Sequence, residues 1–386
     1  MILLYIFSFI VMQSNAQKSM AFCDDYIEFD NEYFGKFISN VKLSNGADAI
    51  LAEKRVLIID EDLNILSSVP IPKTQTHNCN WIFKQSSDLF FVGCQKNGEG
   101  PYLVAYKGIN QTHYSQFGDI VYFPNLNETV ISVSSILNTI FTVQSKKVTL
   151  FTLVLSASDW SIKTTQNVLD KNYFTMTSEI NITDVAYESY SQDNMSFYKL
   201  IVVEFTWGAF WVDSLVKNNI ISPIRNGLIN LKGFYSPYVY NYQSALIHST
   251  TQNASQITIN LFHYDRNDIS IKVVYVSTQS TTINTLYNFN GQWASWGKPI
   301  KFGNLQGILR RNTLKQSVFN VYNIIIPPVL NENQVAVTTY DPVDTFASPP
   351  QDFPIYYFNS GYRVVHSIEN NKLQSCDLYN YKLEME

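Results

Sequence analysis

Charge is scarce in this chain. Lys, Arg, Asp and Glu make up 15% of its 386 residues, against about 25% in ordinary globular domains. The net charge of −5 is spread without runs, so there is no basic stripe to suit nucleic acid or an anionic membrane surface. Alanine is equally short, at 14 residues, and apolar residues seldom recur at helical spacing, which excludes a helix bundle. After the N-terminal segment no stretch holds 18 uninterrupted apolar residues, so no transmembrane segment is expected in the mature chain. Histidine is limited to His77, His113, His248, His263 and His366, all far apart. Nucleophile-elbow, zinc-protease and phosphate-loop patterns are missing, and nothing calls for a metal or other cofactor.

What is present is strand material. Short runs rich in Val, Ile, Thr, Tyr and Phe alternate with clusters of Asn, Asp, Ser and Gly, the pattern of strands and hairpins. The exception is the start, MILLYIFSFIVMQSNA, an apolar run followed by Ser14-Asn15-Ala16, small residues at the −3 and −1 positions of a signal-peptidase site. Residues 1–16 therefore read as a signal peptide, although no Lys or Arg precedes the run, and residues 17–386 as the mature chain, secreted or lumenal in the endomembrane system. In that compartment Asn110, Asn127, Asn181, Asn194 and Asn253, each opening an N-x-S/T triplet, become glycosylation acceptors. Their number is about what this composition gives by chance.

Four cysteines remain. In NCNWIFKQSSDLFFVGCQ, a hairpin centred on Ser86-Ser87 places Cys79 opposite Cys94, Trp81 opposite Val92 and Phe83 opposite Phe90, all on one face. Directly opposed residues of an antiparallel pair lie within reach of a disulfide, whereas zinc sites bring cysteines in close pairs, of which the chain has none. That pairing leaves Cys23 with Cys376.

The hairpin phrase recurs. RVLIIDEDLNILSSV, TLFTLVLSASDWSIKTTQNV and ITINLFHYDRNDISIKVVYV each read strand, polar turn, strand. Weaker copies are PYLVAYKGINQTHYSQF, GILRRNTLKQSVF, YRVVHSIENNKLQSC and VVEFTWGAFWVDSLV. Anchored near residues 60, 107, 157, 212, 265, 311 and 367, the seven units are spaced about 51 residues apart on average, near the period of propeller blades. In this organisation the chain resembles a secreted seven-bladed β-propeller, a single domain over 17–386, without the repeated signature of any one family: no Trp-Asp, double-glycine or Asp-box motif recurs. Six- or eight-bladed propellers, or two β-sandwiches split near residue 180, are the alternatives. A Cys23–Cys376 bridge would then lock the last blade. On the chain-entropy account a loop that long is worth roughly 5 to 6 kcal/mol.

Chemistry is thinner. Trp207 and Trp211 in TWGAFW, and Trp293 and Trp296 in NGQWASWGKPIKFG, are the candidate ligand-binding residues, because indole faces stack on sugars and anchor protein partners. The second segment is similar to one blade motif of the Gly-x-Trp-x-x-Trp propeller lectins, over 14 residues and without repetition. Asp60-Glu61-Asp62-Leu63-Asn64 opens like a calcium loop, but Ile65 and Ile71 stand where Gly and Glu are needed; it reads as a polar turn. Asp119, Asp184, Glu204 and Asp341 lie in or beside apolar strands, and Glu204 in LIVVEFTW interrupts a strand apolar on both faces. The expectation is a recognition or adhesion protein for a glycan or an extracellular protein. The alternative is a glycoside-active enzyme with a carboxylate pair that includes Glu204.

Overall fold

The computed structural model describes residues 20–23, 27–43, 46–60, 63–72, 77–96, 99–110 and 113–230, and the backbone of the strands between 242 and 379; side chains are described within 28–229. Two N-terminal strands, β1 (Met20–Cys23) and β2 (Ile27–Glu28), precede one helical turn, α1 (Asn31–Phe34). The first full sheet is the meander β3 (Phe37–Lys42), β4 (Asp48–Ala52), β5 (Arg55–Ile59) and β6 (Ile65–Pro70). The second holds β7 (Asn78–Lys84), β8 (Leu89–Gln95) and β9 (Tyr102–Gly108), with β10 (Tyr114–Gln116) and β11 (Val121–Tyr122) sharing the outer edge of β9. The third is β12 (Ser132–Ile136), β13 (Thr139–Gln144), β14 (Lys147–Leu155) and β15 (Trp160–Asp170). The fourth is β16 (Ile182–Gln192), β17 (Met195–Glu204), β18 (Gly208–Lys217) and β19 (Ile220–Asn230).

Two more sheets follow. One is β20 (Tyr242–Thr250), β21 (Gln256–Tyr264), β22 (Asp268–Ser277) and β23 (Thr281–Asn290). The other is β24 (Trp293–Trp296), β25 (Ile300–Phe302), β26 (Leu305–Asn312), β27 (Ser317–Ile325), β28 (Ala336–Thr339) and β29 (Val343–Phe346). The last strands, β30 (Arg363–Glu369) and β31 (Lys372–Tyr379), form a sheet with β1 and β2. Among the described residues the strands thus make seven sheets.

The first four sheets stack face to face in succession: β7 lies beside β3 and β12, β16 beside β13, and β20 beside β16. One apolar cluster joins the first and second sheets through Leu51, Ile58, Phe90 and Val92. A second joins the second and third through Phe91, Leu103, Phe151 and Trp160. A third joins the third and fourth through Phe141, Leu150, Val202 and Phe210. A sheet covered on both faces needs apolar residues at consecutive positions, which is why LFFV and TIFTV do not alternate. The third cluster also holds Ile180 and Ile182, so packing is continuous across residue 180, where two β-sandwiches would have parted.

Local turn chemistry fixes the fourth sheet. Asp193-Asn194 and Asn218-Asn219 are two-residue loops with all four φ angles between 50° and 60°, the type I′ geometry that matches strand twist and suits Asn and Asp. Pro223 sits on edge strand β19 beside a register shift, where a missing N–H is tolerated.

Two expectations need correction. In the β7–β8 hairpin Cys79 does face Cys94, but a bulge at Asn80 shifts the register, so that Trp81 faces Gly93 and Phe83 faces Phe91. One extra residue turns the following side chains to the opposite face. Cys79, Ile82 and Cys94 accordingly join the cluster with the first sheet, while Phe83 and Phe91 join the cluster with the third, with Trp81 against it. Gly93 makes the shift feasible: a Cβ there would stand 2.9 Å from the Trp81 ring. The second correction concerns the seven hairpin units. Each falls in a different sheet, but β5–β6, β9–β10 and β14–β15 are outer hairpins, whereas β17–β18 and β21–β22 are central ones. The turn expected near residue 212 lies at 205–207.

Candidate ligand-recognition site

Glu204 ends β17 with its side chain 1% exposed. Such a carboxylate must find donors or be neutralised, and here the donors are main-chain amides. Oε1 accepts the N–H of Asn181 at 2.8 Å, and Oε2 accepts those of Thr206 and Trp207 at 2.8 and 2.5 Å. The turn 205–207 is therefore organised around the carboxylate, and Gly208 follows at φ 121°, a conformation open to glycine. The Phe205 N–H donates to the Asn181 carbonyl, and the Ile182 N–H to that of Ser145. These bonds tie the turn to the connections at the same end of the third and fourth sheets. Trp207 rides on this turn, half-buried.

Trp211, four residues on, is placed differently. It lies on β18 opposite Gly227, where a Cβ would meet the indole at 2.5 Å. The Lys199 ammonium stands 4.8 Å from the Trp211 ring and 5.6 Å from that of Tyr190. Lys199, Asp213 and Arg225 occupy one row across β17, β18 and β19. Asp213, fully buried, ion-pairs with both cations. Burial pulls the Lys199 pKa below its ordinary value, with Asp213 opposing, while hydrogen bonding to Asp213 raises that of Arg225. Burial also pushes the Tyr190 phenol up to about 12. The sequence reading missed this row. Its signal was present: Lys199 and Asp213 interrupt successive apolar strands, each five residues from the turn-flanking Glu204 and Gly208.

The remaining candidates disperse. Trp293 and Trp296 lie on β24, with side chains outside the described residues; Asn253, Asp341 and residues 1–16 lie outside them altogether. Asp119 is exposed between β10 and β11, and Asp184 is buried on β16. Of the innermost strands β3, β7, β12 and β16, only β16 carries carboxylates, Asp184 and Glu188, and four strand residues separate their Cα atoms by roughly 13 Å. Asp60 accepts the Asn64 N–H at 2.8 Å and its side-chain amide at 3.0 Å, closing a turn. Among the described residues no group of His, Cys, Asp and Glu could hold a metal, and no helix is long and apolar enough to cross a membrane. Cys79 and Cys94 form a disulfide. Beside it the His77 Nε2 lies 3.1 Å from Glu99, which also pairs with Lys96. Asn110, Asn127, Asn181 and Asn194 are all exposed.

No protein-family profile matches the chain, and no curated protein matches it in sequence. Solved structures do. The β-propeller domain of Cps50 (Swd1) from Myceliophteria thermophila is similar over 93% of this chain and 100% of its own, with a TM-score of 0.53 at 9% identity. A chain of the S. cerevisiae Dbp5 complex with Nup159, Gle1, IP6 and ADP is similar over 94% and 96%, with a TM-score of 0.50 at 10% identity. The WD40 domain of SCAP from fission yeast covers 89% and 82%, with a TM-score of 0.47 at 10% identity. At such identities the first two likenesses show the fold alone: this chain is an all-β propeller.

Proposed function

We propose that this propeller is a secreted recognition or adhesion protein, and that it binds a glycan or an extracellular protein at the end of the molecule carrying the 205–207 turn. The observation that supports this is the use of Glu204. A buried carboxylate committed to three main-chain amides fixes a turn in advance, and the turn carries a half-buried tryptophan. Preorganised aromatic side chains are efficient anchors because little conformational freedom is lost on binding. The same commitment speaks for recognition over glycoside chemistry, since a catalytic carboxylate must reach the substrate.

The test is binding of the full chain to arrayed glycans and arrayed extracellular proteins, wild type beside Trp207→Ala. The expected result is at least about a tenfold loss of affinity in the variant with thermal stability little changed. Undiminished binding by Trp207→Ala would move the contact elsewhere. Hydrolysis of chromogenic glycosides by the wild type, lost in Glu204→Gln, would replace recognition with catalysis.

A further inference from the structure

We propose that Cys23 and Cys376 form a second disulfide, which fastens the two ends of the chain to each other and closes the ring covalently. The inference does not depend on what the propeller binds. It rests on backbone register. β1 runs antiparallel to β31 with Met20 opposite Tyr379, Ala21 opposite Leu378, Phe22 opposite Asp377 and Cys23 opposite Cys376. β2 continues along β31, with Ile27 opposite Leu373 and Glu28 opposite Lys372, while β30 pairs with β31 as well. The first and last described strands of the chain are thus neighbours in one sheet.

Directly opposed residues of an antiparallel pair have Cα atoms about 4.5 to 5.5 Å apart, inside the range a disulfide spans. The side chains of Cys23 and Cys376 lie outside the described residues, and Cys79–Cys94 is already bridged between opposed residues of an antiparallel pair. The step requires an oxidising protein disulfide of the isomerase class. One thiolate attacks that disulfide, and the second then displaces the partner's sulfur. The Cys23–Cys376 bond forms, and the two electrons and two protons leave as two partner thiols.

The two bridges differ in topology. Cys79–Cys94 encloses one hairpin, whereas Cys23–Cys376 encloses nearly the whole chain. A single peptide-bond cut anywhere between residues 24 and 375 would then leave both fragments covalently joined. Proteolysis could nick the ring without separating its parts.

The test uses full-length protein produced through the secretory route, alkylated to block free thiols and nicked by limited proteolysis. Singly cut molecules are expected to run as one full-length species without reductant and as two fragments with it. In Cys23→Ser the fragments should part without reductant, except for cuts between residues 79 and 94, and the thermal midpoint should fall by roughly 5–10 °C. Where Cys23→Ser fails to accumulate, mapping of the unreduced wild type decides. A joined peptide containing Cys23 and Cys376 upholds the bridge; alkylated Cys23 and Cys376, or wild-type fragments that separate without reductant, overturn it.

Discussion

A buried aspartate between two cations makes the fourth sheet sensitive to single substitutions. Replacing Asp213 with Ala would leave Lys199, itself 2% exposed, without its counter-charge. Breaking a buried pair from one side costs about 3 to 5 kcal/mol, and that loss is expected in denaturant unfolding. Arg225→Ala should cost much less, since half of that side chain is in water, where ion pairs contribute about 0 to 1 kcal/mol. Equal losses in the two variants would mean that Lys199 is not held by Asp213. Gly227→Ala tests the other wall of the cluster. Its Cβ would collide with the Trp211 indole at 2.5 Å, and such overpacking costs about 1 to 3 kcal/mol.

Turns and hairpins carry the next set of consequences. Removing the Glu204 carboxylate as Glu204→Ala strips three main-chain N–H groups of their acceptor. A fully buried donor left unpaired costs about 1 to 3 kcal/mol. These three are only partly buried, so the unfolding free energy should fall by about 1 to 3 kcal/mol in total, and amide exchange at Asn181, Thr206 and Trp207 should accelerate. Exchange confined to distant amides would show that the turn does not depend on the carboxylate. In the β7–β8 hairpin the disulfide joins residues 15 apart, a loop worth about 3 kcal/mol by the chain-entropy account. The double variant Cys79→Ser, Cys94→Ser should lose roughly that amount, measured by the same unfolding experiment.

For the molecule as a whole, burial of tyrosine sets the alkaline limit. Burial pushes the Tyr102 and Tyr190 phenols up to about 12, and that of Tyr106 higher still. The unfolded chain ionises these groups near the ordinary tyrosine value of 10.0. Between pH 10 and 12 the unfolded state therefore holds fewer protons, and folding stability falls by about 1.4 kcal/mol per pH unit for each such phenol. Lys199, with its pKa pulled down, acts in the opposite sense below the ordinary lysine value of 10.5, one group against several phenols. Denaturant midpoints should drop steeply from pH 10 to 11 and little from 8 to 9. A flat profile would contradict the burial of these phenols. At the acid end, hydrogen bonding to Lys96 and then His77 lowers the Glu99 pKa; that contribution is lost as pH falls below the ordinary carboxylate range.

Strand composition, turn residues and cysteine spacing determined the class of this protein by themselves. Those signals are local: a Val- and Tyr-rich run followed by Asn or Ser reads as a hairpin wherever it occurs, and two cysteines placed symmetrically about its turn are candidates to face one another. Asp193-Asn194 and Asn218-Asn219 went unread in the sequence, although a two-residue loop with positive φ selects Asn and Asp directly. Tertiary structure decided the rest. The bulge at Asn80 is one residue in length, yet it sends Trp81 and Phe83 to the opposite face; what permits it is Gly93 on the neighbouring strand, which no period in the sequence reveals. Glu204 reads as an intruder in an apolar strand, and only the return of the chain at Asn181 supplies its third donor. Lys199, Asp213 and Arg225 become one row only when three strands align. Sequence fixes what each strand can pair with, and partners that are remote along the chain are set by register and packing, which depend on all the sheets at once.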